Sequence, residues 1–166
     1  IAPPTSEVSD GTLVLDTTPG FTMGMDAVRY DLTLSRLERI ELNGSGDIEA
    51  TVSADGTLQL DIEGSGDVDW SGLAADRVEV RISGSSDVTL TGSATELSID
   101  LEGSGNVDAE QLESQAVVIN LSGSGAVDVS ASVSLSVDLS GSGRVTYAGD
   151  PSTDVRVSGS GDVVRR

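Results

Sequence analysis

Apolar and polar residues alternate with a period of two along most of this chain, and a short corner of glycine and serine interrupts the alternation seven times. Six corners read Gly-Ser-Gly and the third reads Gly-Ser-Ser, at intervals of 18 to 20 residues. The corners are Gly44, Ser45, Gly46; Gly64, Ser65, Gly66; Gly84, Ser85, Ser86; Gly103, Ser104, Gly105; Gly123, Ser124, Gly125; Gly141, Ser142, Gly143; and Gly159, Ser160, Gly161.

Three positions around each corner are aliphatic in all seven copies: four and two residues before the first glycine, and four residues after it. A spacing of two is that of a strand, whose alternate residues share one face. The rows are Ile40, Leu60, Val80, Ile99, Ile119, Val137, Val155; Leu42, Ile62, Ile82, Leu101, Leu121, Leu139, Val157; and Ile48, Val68, Val88, Val107, Val127, Val145, Val163.

Near-identical units of this size cannot bury an apolar face alone, but stacked in register they bury one continuous core. The pattern therefore predicts an all-β fold, a single-stranded parallel β-helix (solenoid) of about seven coils of 18–20 residues. Right-handedness follows from the crossover rule. The corner glycines suit positive φ or close backbone approach. An antiparallel meander is the alternative, although its hairpins favour Asn-Gly or Asp-Gly turns.

Residues 1–39 lack the corner motif, so we divide the chain into 1–39, an irregular N-terminal region within the same domain, and 40–166, the repeat. The segments "GTLVLD" (11–16) and "AVRYDLTL" (27–34) alternate and predict strands. This region is expected to cap one end of the solenoid, because an open end exposes core and an unpaired strand edge.

Composition narrows the function classes. The net charge is −19, which disfavours nucleic acid and anionic lipid as partners and favours cations or basic surfaces. Cysteine and histidine are absent, so thiolate and imidazole chemistry is excluded. No apolar run reaches the 18 or so residues of a bilayer span, and no membrane insertion is expected. Trp70 occupies an otherwise apolar slot and is predicted to lie in the core.

Two side-chain rows outside the apolar rows are candidates for chemistry. The corner serines have no histidine or lysine to activate them, so we expect their hydroxyls to bond to neighbouring backbone or serines. Outward carboxylates after the first three corners could hold Ca²⁺, or could accept backbone N–H groups in Asx-type turns. These low-prior calcium candidates are Asp47, Glu49, Asp67, Asp69 and Asp87; no other cofactor and no catalytic residue is predicted.

The "GSGDV" corners, "VRYDLTLSRLERIELNGSGDI" (28–48) and "YAGDPSTDVRVSGSGDV" (147–163) resemble the head GIN domain family, described as autotransporter adhesins. The resemblance covers about residues 9–165. It implies a right-handed β-helix of the pectin-lyase type, export to the bacterial envelope or surface, and a role in adhesion. It carries over no catalytic residues. The family's usual opening strands are absent before Ile1, which suggests a shortened or processed chain.

These observations favour a non-enzymatic, extracytoplasmic module that binds or scaffolds, with a surface protein or a glycan as partner. The alternative is a self-assembling structural solenoid, a homo-oligomer that stacks end to end, although Arg165 and Arg166 would place charge at the last edge. A third reading is a carbohydrate-active enzyme, which would need two carboxyls such as Asp67 and Asp69 in a cleft.

Overall fold

The computed structural model describes residues 5–9, 12–16, 30–33, 37–51 and 56–166. All the regular secondary structure in these ranges is β-strand. None of the ranges contains a helix of the length and apolarity needed to cross a membrane. The strands are β1 (Thr5–Ser9), β2 (Thr12–Asp16), β3 (Arg39–Gly44), β4 (Ile48–Ala50), β5 (Thr57–Gly64), β6 (Val68–Gly84), β7 (Asp87–Gly103), β8 (Asn106–Gly123), β9 (Ala126–Gly141), β10 (Arg144–Ala148), β11 (Ser152–Gly159) and β12 (Asp162–Arg165).

The chain forms two compact units, residues 1–33 and 34–166. In the first unit, β1 and β2 pair antiparallel, with Glu7 opposite Val14. The strand predicted in "GTLVLD" is confirmed over Thr12–Asp16. The strand predicted over 27–34 is wrong for residues 30–33, which belong to no strand; Tyr30 and Leu32 are both exposed, so their alternation buries no face. Residues 27–29 and 34 lie outside the described ranges, and the expected cap stays a prediction.

The second unit is the predicted parallel β-solenoid. Each long strand pairs in parallel with its copy one coil away, and first glycine lies over first glycine from Gly44 to Gly159. The solenoid has about six turns. The seven predicted coils reduce to six turns because a complete turn is bounded by two successive corners. Parallel pairing excludes the antiparallel meander for this unit, while its right-handed sense stays a prediction.

The three aliphatic rows form the core. They are buried in the five inner coils, whereas the first coil is half-buried and Val155 and Val157 of the last coil are exposed. Trp70 is fully buried beside Leu90 in register, which confirms its predicted place. Burial of branched aliphatic side chains on stacked strands supplies the main stabilising term.

Differences in coil length are absorbed away from the glycine corners. Register shifts lie between Trp70 and Leu73 and between Thr89 and Gly92, and β8 has two more against β9. An extra residue at a bulge leaves the flanking ladder aligned. The corner and the strands on either side of it therefore keep one register throughout.

The first glycine of each inner corner has no room for a side chain. Gly123 has φ of +136°, and an added Cβ would lie 3.0 Å from the carbonyl carbon of Gly103 and closer still to its oxygen. Above it, the N–H of Ser124 donates to the Gly103 carbonyl at 2.9 Å. This N–H bond between successive corners recurs along the stack and draws the backbones together.

Candidate functional site: two outward faces of the solenoid

The carboxylates predicted as calcium candidates all lie on one outward face, on or just before the strands that follow the first three corners. We call Asp47, Glu49, Asp67, Asp69 and Asp87 the acidic stripe. All five side chains are exposed, and Glu49 lies beside Asp69 in the β4–β6 register. No ion pair within the described ranges involves a residue of the stripe.

One row of the stripe is a ladder of hydrogen bonds between coils. Oδ1 of Asp47 accepts the N–H of Asp67 at 3.2 Å, and Oδ1 of Asp67 accepts the N–H of Asp87 at 3.0 Å. The sequence predicted that these carboxylates accept backbone N–H groups, but within their own turn. The partner instead lies one coil on, because an outward side chain at a corner faces the neighbouring coil.

The ladder continues past the acids. Oδ1 of Asp87 accepts two hydrogen bonds from Asn106, one from the backbone N–H at 3.2 Å and one from the side-chain Nδ2 at 2.8 Å. Asn106 Oδ1 accepts the N–H of Ala126 at 3.2 Å. Ala126 has no side-chain acceptor, and the N–H of Arg144 donates to the carbonyl of Gly125. Asn106 shows that an amide oxygen can take the place of a carboxylate oxygen in this ladder.

The stripe does not build a coordination sphere. Its ladder carboxylates follow one another at one per coil, each turned to a backbone N–H. Within the described part of the chain, no three carboxylates come together closely enough to hold a metal ion. Ca²⁺ prefers six to eight oxygens around one point. The arrangement supports the structural reading of this row over the calcium reading.

The strands that lead into the corners carry a network of arginines and carboxylates on their outward face. Arg81 reaches Asp61 at 3.5 Å and Glu79 at 3.3 Å, and Arg39 reaches Asp61 at 2.9 Å. Arg77 pairs with Glu79 and with Glu96, both at 3.0 Å. The hydrogen bond to Asp61, reinforced by nearby carboxylates, raises the pKa of Arg81. Asp61, Glu79 and Glu96 are therefore paired with arginines on this face.

A shallow depression of 340 Å³ lies further along this face. Arg81, Asp100, Asn120, Asp138 and Ser140 contribute to its lining. Asn120 Nδ2 donates to Asp100 Oδ1 at 2.6 Å, so part of the polar lining is already satisfied. The linear pattern does not predict the depression, because it arises where small serines stand between longer side chains in adjacent coils.

The corner serines and Asp67 take part in bonds between coils that involve backbone N–H groups. The corner serines from Ser45 to Ser160 are exposed, and within the described ranges their bonds between coils run through backbone N–H groups, not hydroxyls. Asp67 already accepts an N–H from the next coil. The expected hydroxyl bonds are absent from the described residues.

The last two residues are tied to the sides of the solenoid. Arg165 pairs with Asp150 at 3.0 Å, and the Arg166 side chain bonds to Glu110 while its N–H donates to Tyr147 O at 2.9 Å. The bond to Glu110 raises the pKa of Arg166. Both arginines thus have a carboxylate partner, and their expected effect on stacking stays a prediction.

Comparison with known proteins places most of the chain in one family. The family described as "Putative auto-transporter adhesin, head GIN domain" matches residues 5–151. This chain belongs to that family. No curated protein matches the chain.

Solved structures agree with the family assignment. A "putative adhesin" from Bacteroides fragilis is 25% identical with a TM-score of 0.85, over 98% of this chain and 76% of that one. A "putative lipid binding protein" from Parabacteroides distasonis is 25% identical with a TM-score of 0.75, over 79% of this chain and 55% of that one. A "putative adhesin" from the same species, 23% identical with a TM-score of 0.62 over 79% of this chain and 63% of that one, shares the fold.

Proposed function

We propose that this chain is an extracytoplasmic, adhesin-like module of the bacterial envelope that acts by binding and performs no catalysis. Family membership and the structural neighbours support the adhesin-like reading. Placement outside the cytoplasm rests on the same family description. The partner we propose is a surface protein or glycan with basic groups, contacted through the acidic stripe.

The observation that carries this proposal is the difference in ion pairing between carboxylates of the two faces. Glu49 and Asp69 are exposed, stand side by side, and have neither an ion pair nor a hydrogen bond within the described residues. On the other face Asp61 and Glu79 are held by arginines. Unpaired like charges on a rigid sheet create a potential that attracts cationic groups.

The test compares one pair of substitutions on each face. Glu49→Gln with Asp69→Asn removes two charges from the stripe and disturbs no described hydrogen bond. Glu102→Gln with Asp138→Asn is the matched control: the same charge change, also at exposed positions, on the other face. Beads coated with each protein are incubated with a printed panel of extracellular-matrix proteins and glycans at low and at physiological salt.

We expect the unsubstituted protein and the control to bind the same basic panel members, and the stripe variant to lose at least about tenfold in affinity, about 1.4 kcal/mol. Raising the salt should weaken binding. Equal loss in both variants, or no retention by any panel member, would contradict the stripe as the contact surface. Release of cleaved product from a panel member would contradict a purely binding role.

A further inference from the structure

The last coil of the solenoid exposes residues that are core in every inner coil. Val155 and Val157 of β11 are 41% and 45% exposed, whereas their register partners Val137 and Leu139 in β9 are 0% exposed. β11 pairs with β9 along one edge, and none of the described strands pairs with its other edge. An edge with free N–H and C=O groups and an apolar face is a template for another strand.

The sequence of this edge strand is complementary to itself when reversed. Around Val155, the segment Ser152–Ser158 reads S-T-D-V-R-V-S. Reversal about Val155 places Asp154 opposite Arg156, Thr153 opposite Val157 and Ser152 opposite Ser158. Within one copy, Arg156 already reaches Asp154 at 3.0 Å, and both side chains are exposed.

We propose that β11 pairs antiparallel with β11 of a second copy of this chain, about a two-fold axis at Val155. Directly opposite residues in an antiparallel pair lie on the same face, so Val155 would meet the second copy's Val155 on the core side. On the outer side Asp154 would meet the second copy's Arg156, and the reverse. Two opposite-charge pairs on the outer side, and a Val155 pair flanked by two Thr153–Val157 pairs on the core side, then join the two solenoid ends.

This symmetry makes the assembly finite. A two-fold contact uses the same surface on both copies and closes at a dimer. Extension in the register of the solenoid is a different arrangement, because there β11 would stack on β3 of the next copy and place Asp154 over Arg39 and Arg156 over Glu41. Such a head-to-tail contact does not close, so the mass would grow with concentration.

The first experiment is light scattering on the purified 166-residue chain over a hundredfold range of concentration. We expect a mass that reaches twice the 16.9 kDa of one chain and stays there. Val155→Lys should give a monomer, because two ammonium groups would meet at the axis. The control Val118→Lys, at an equally exposed valine within β8, should remain a dimer. A monomeric unsubstituted chain, or a mass that keeps growing, would overturn the proposal.

Charge exchange separates the two-fold contact from the head-to-tail one. Asp154→Arg alone should abolish the dimer, because arginine would then face arginine across the axis. Adding Arg156→Asp restores complementarity in the two-fold arrangement, and the dimer should return. In the head-to-tail arrangement the double exchange places like charges over Arg39 and Glu41. Failure of the double variant to dimerise, with its melting temperature unchanged, would therefore contradict the two-fold contact.

A smaller substitution tests the same contact, because lysine at Val155 could remove the dimer simply by unfolding the last coil. The chain contains no cysteine, so Val155→Cys introduces a single thiol at the axis. Oxidation should link two chains through it, and Val118→Cys should give no such link. Absence of the Val155→Cys cross-link would count against the proposal. The dimer goes beyond the proposed function, and its failure would leave the comparison of the two faces untouched.

Discussion

The inner coils and the end coils carry the same corner and the same three apolar rows, yet they bury them to different extents. Val137 is fully buried, whereas Val155, one coil further in the same row, is 41% exposed. A Cβ on Gly123 would collide with the coil below, whereas one on Gly44 meets nothing within 4 Å. The motif specifies a conformation, but stacking supplies the stability, as expected for a repeat protein whose units contact only their neighbours.

The largest effect should come from adding a methyl group at a corner. Gly123→Ala combines positive φ with collision against Gly103 and should lower the free energy of unfolding by about 2–5 kcal/mol. Gly44→Ala has the same strain, at φ of +119°, without the collision, and should lose only about 1–2 kcal/mol. Urea unfolding of both variants measures the difference. Equal losses would mean that contact between coils contributes nothing at the corner.

A core substitution in neighbouring coils should give the next largest difference. Val137→Ala removes buried methyl groups and should cost about 2 kcal/mol, from lost transfer free energy and the cavity left behind. Val155→Ala, in the same row, should cost less than about 1 kcal/mol when measured in dilute, monomeric protein. If the two changes cost the same, Val155 is covered in solution by something other than a second copy.

The carboxylate ladder should respond to loss of an oxygen more than to loss of charge. Asp67→Ala removes the acceptor for the N–H of Asp87 and should lower stability by up to about 1 kcal/mol. Asp67→Asn keeps an acceptor and reduces repulsion, so its melting temperature should equal or slightly exceed that of the unsubstituted chain. A larger loss for Asn than for Ala would show that the negative charge itself is needed.

The smallest effect concerns the one corner that departs from Gly-Ser-Gly. Ser86 is fully buried, and its Oγ has no hydrogen-bond partner. Ser86→Ala keeps the Cβ and removes the unpaired hydroxyl, so it should raise stability by up to about 1 kcal/mol. Thermal unfolding monitored by circular dichroism would show this gain. A lower melting temperature would indicate that a water molecule or a shifted rotamer satisfies the hydroxyl.

The sequence predicted the parts of the fold that repeat. Corner positions, the three core rows and the place of Trp70 follow from a fixed period and strict alternation, because stacked coils put equal positions in contact. The strand predicted over 27–34 lies where no repeat constrains the pattern, and residues 30–33 departed from it. The Asx-type turns considered for the Asp47–Asp87 row named the right kind of donor, a backbone N–H, but its place one coil on became visible only once the register was known.

The free charge of the acidic stripe was harder to predict than its position. Alternation fixes which side chains point outwards, but not which arginines reach which carboxylates. Arg39, Arg77 and Arg81 all lie before a corner and pair with carboxylates of their own face. The contrast between the two faces depends on side-chain reach across coils, which a linear pattern does not contain.

Electron–electron distances between two spin labels test the stacked register most directly. Ser45→Cys and Ser142→Cys place labels at exposed corners five coils apart, in a chain with no other cysteine, diluted with unlabelled protein. Parallel stacking at about 4.8 Å per coil predicts a separation near 24 Å. In an antiparallel meander each repeat adds two strands to the sheet, so the labels would lie about 48 Å apart. The shorter distance would support the parallel solenoid, in which each repeat is one coil, and the longer distance would contradict it.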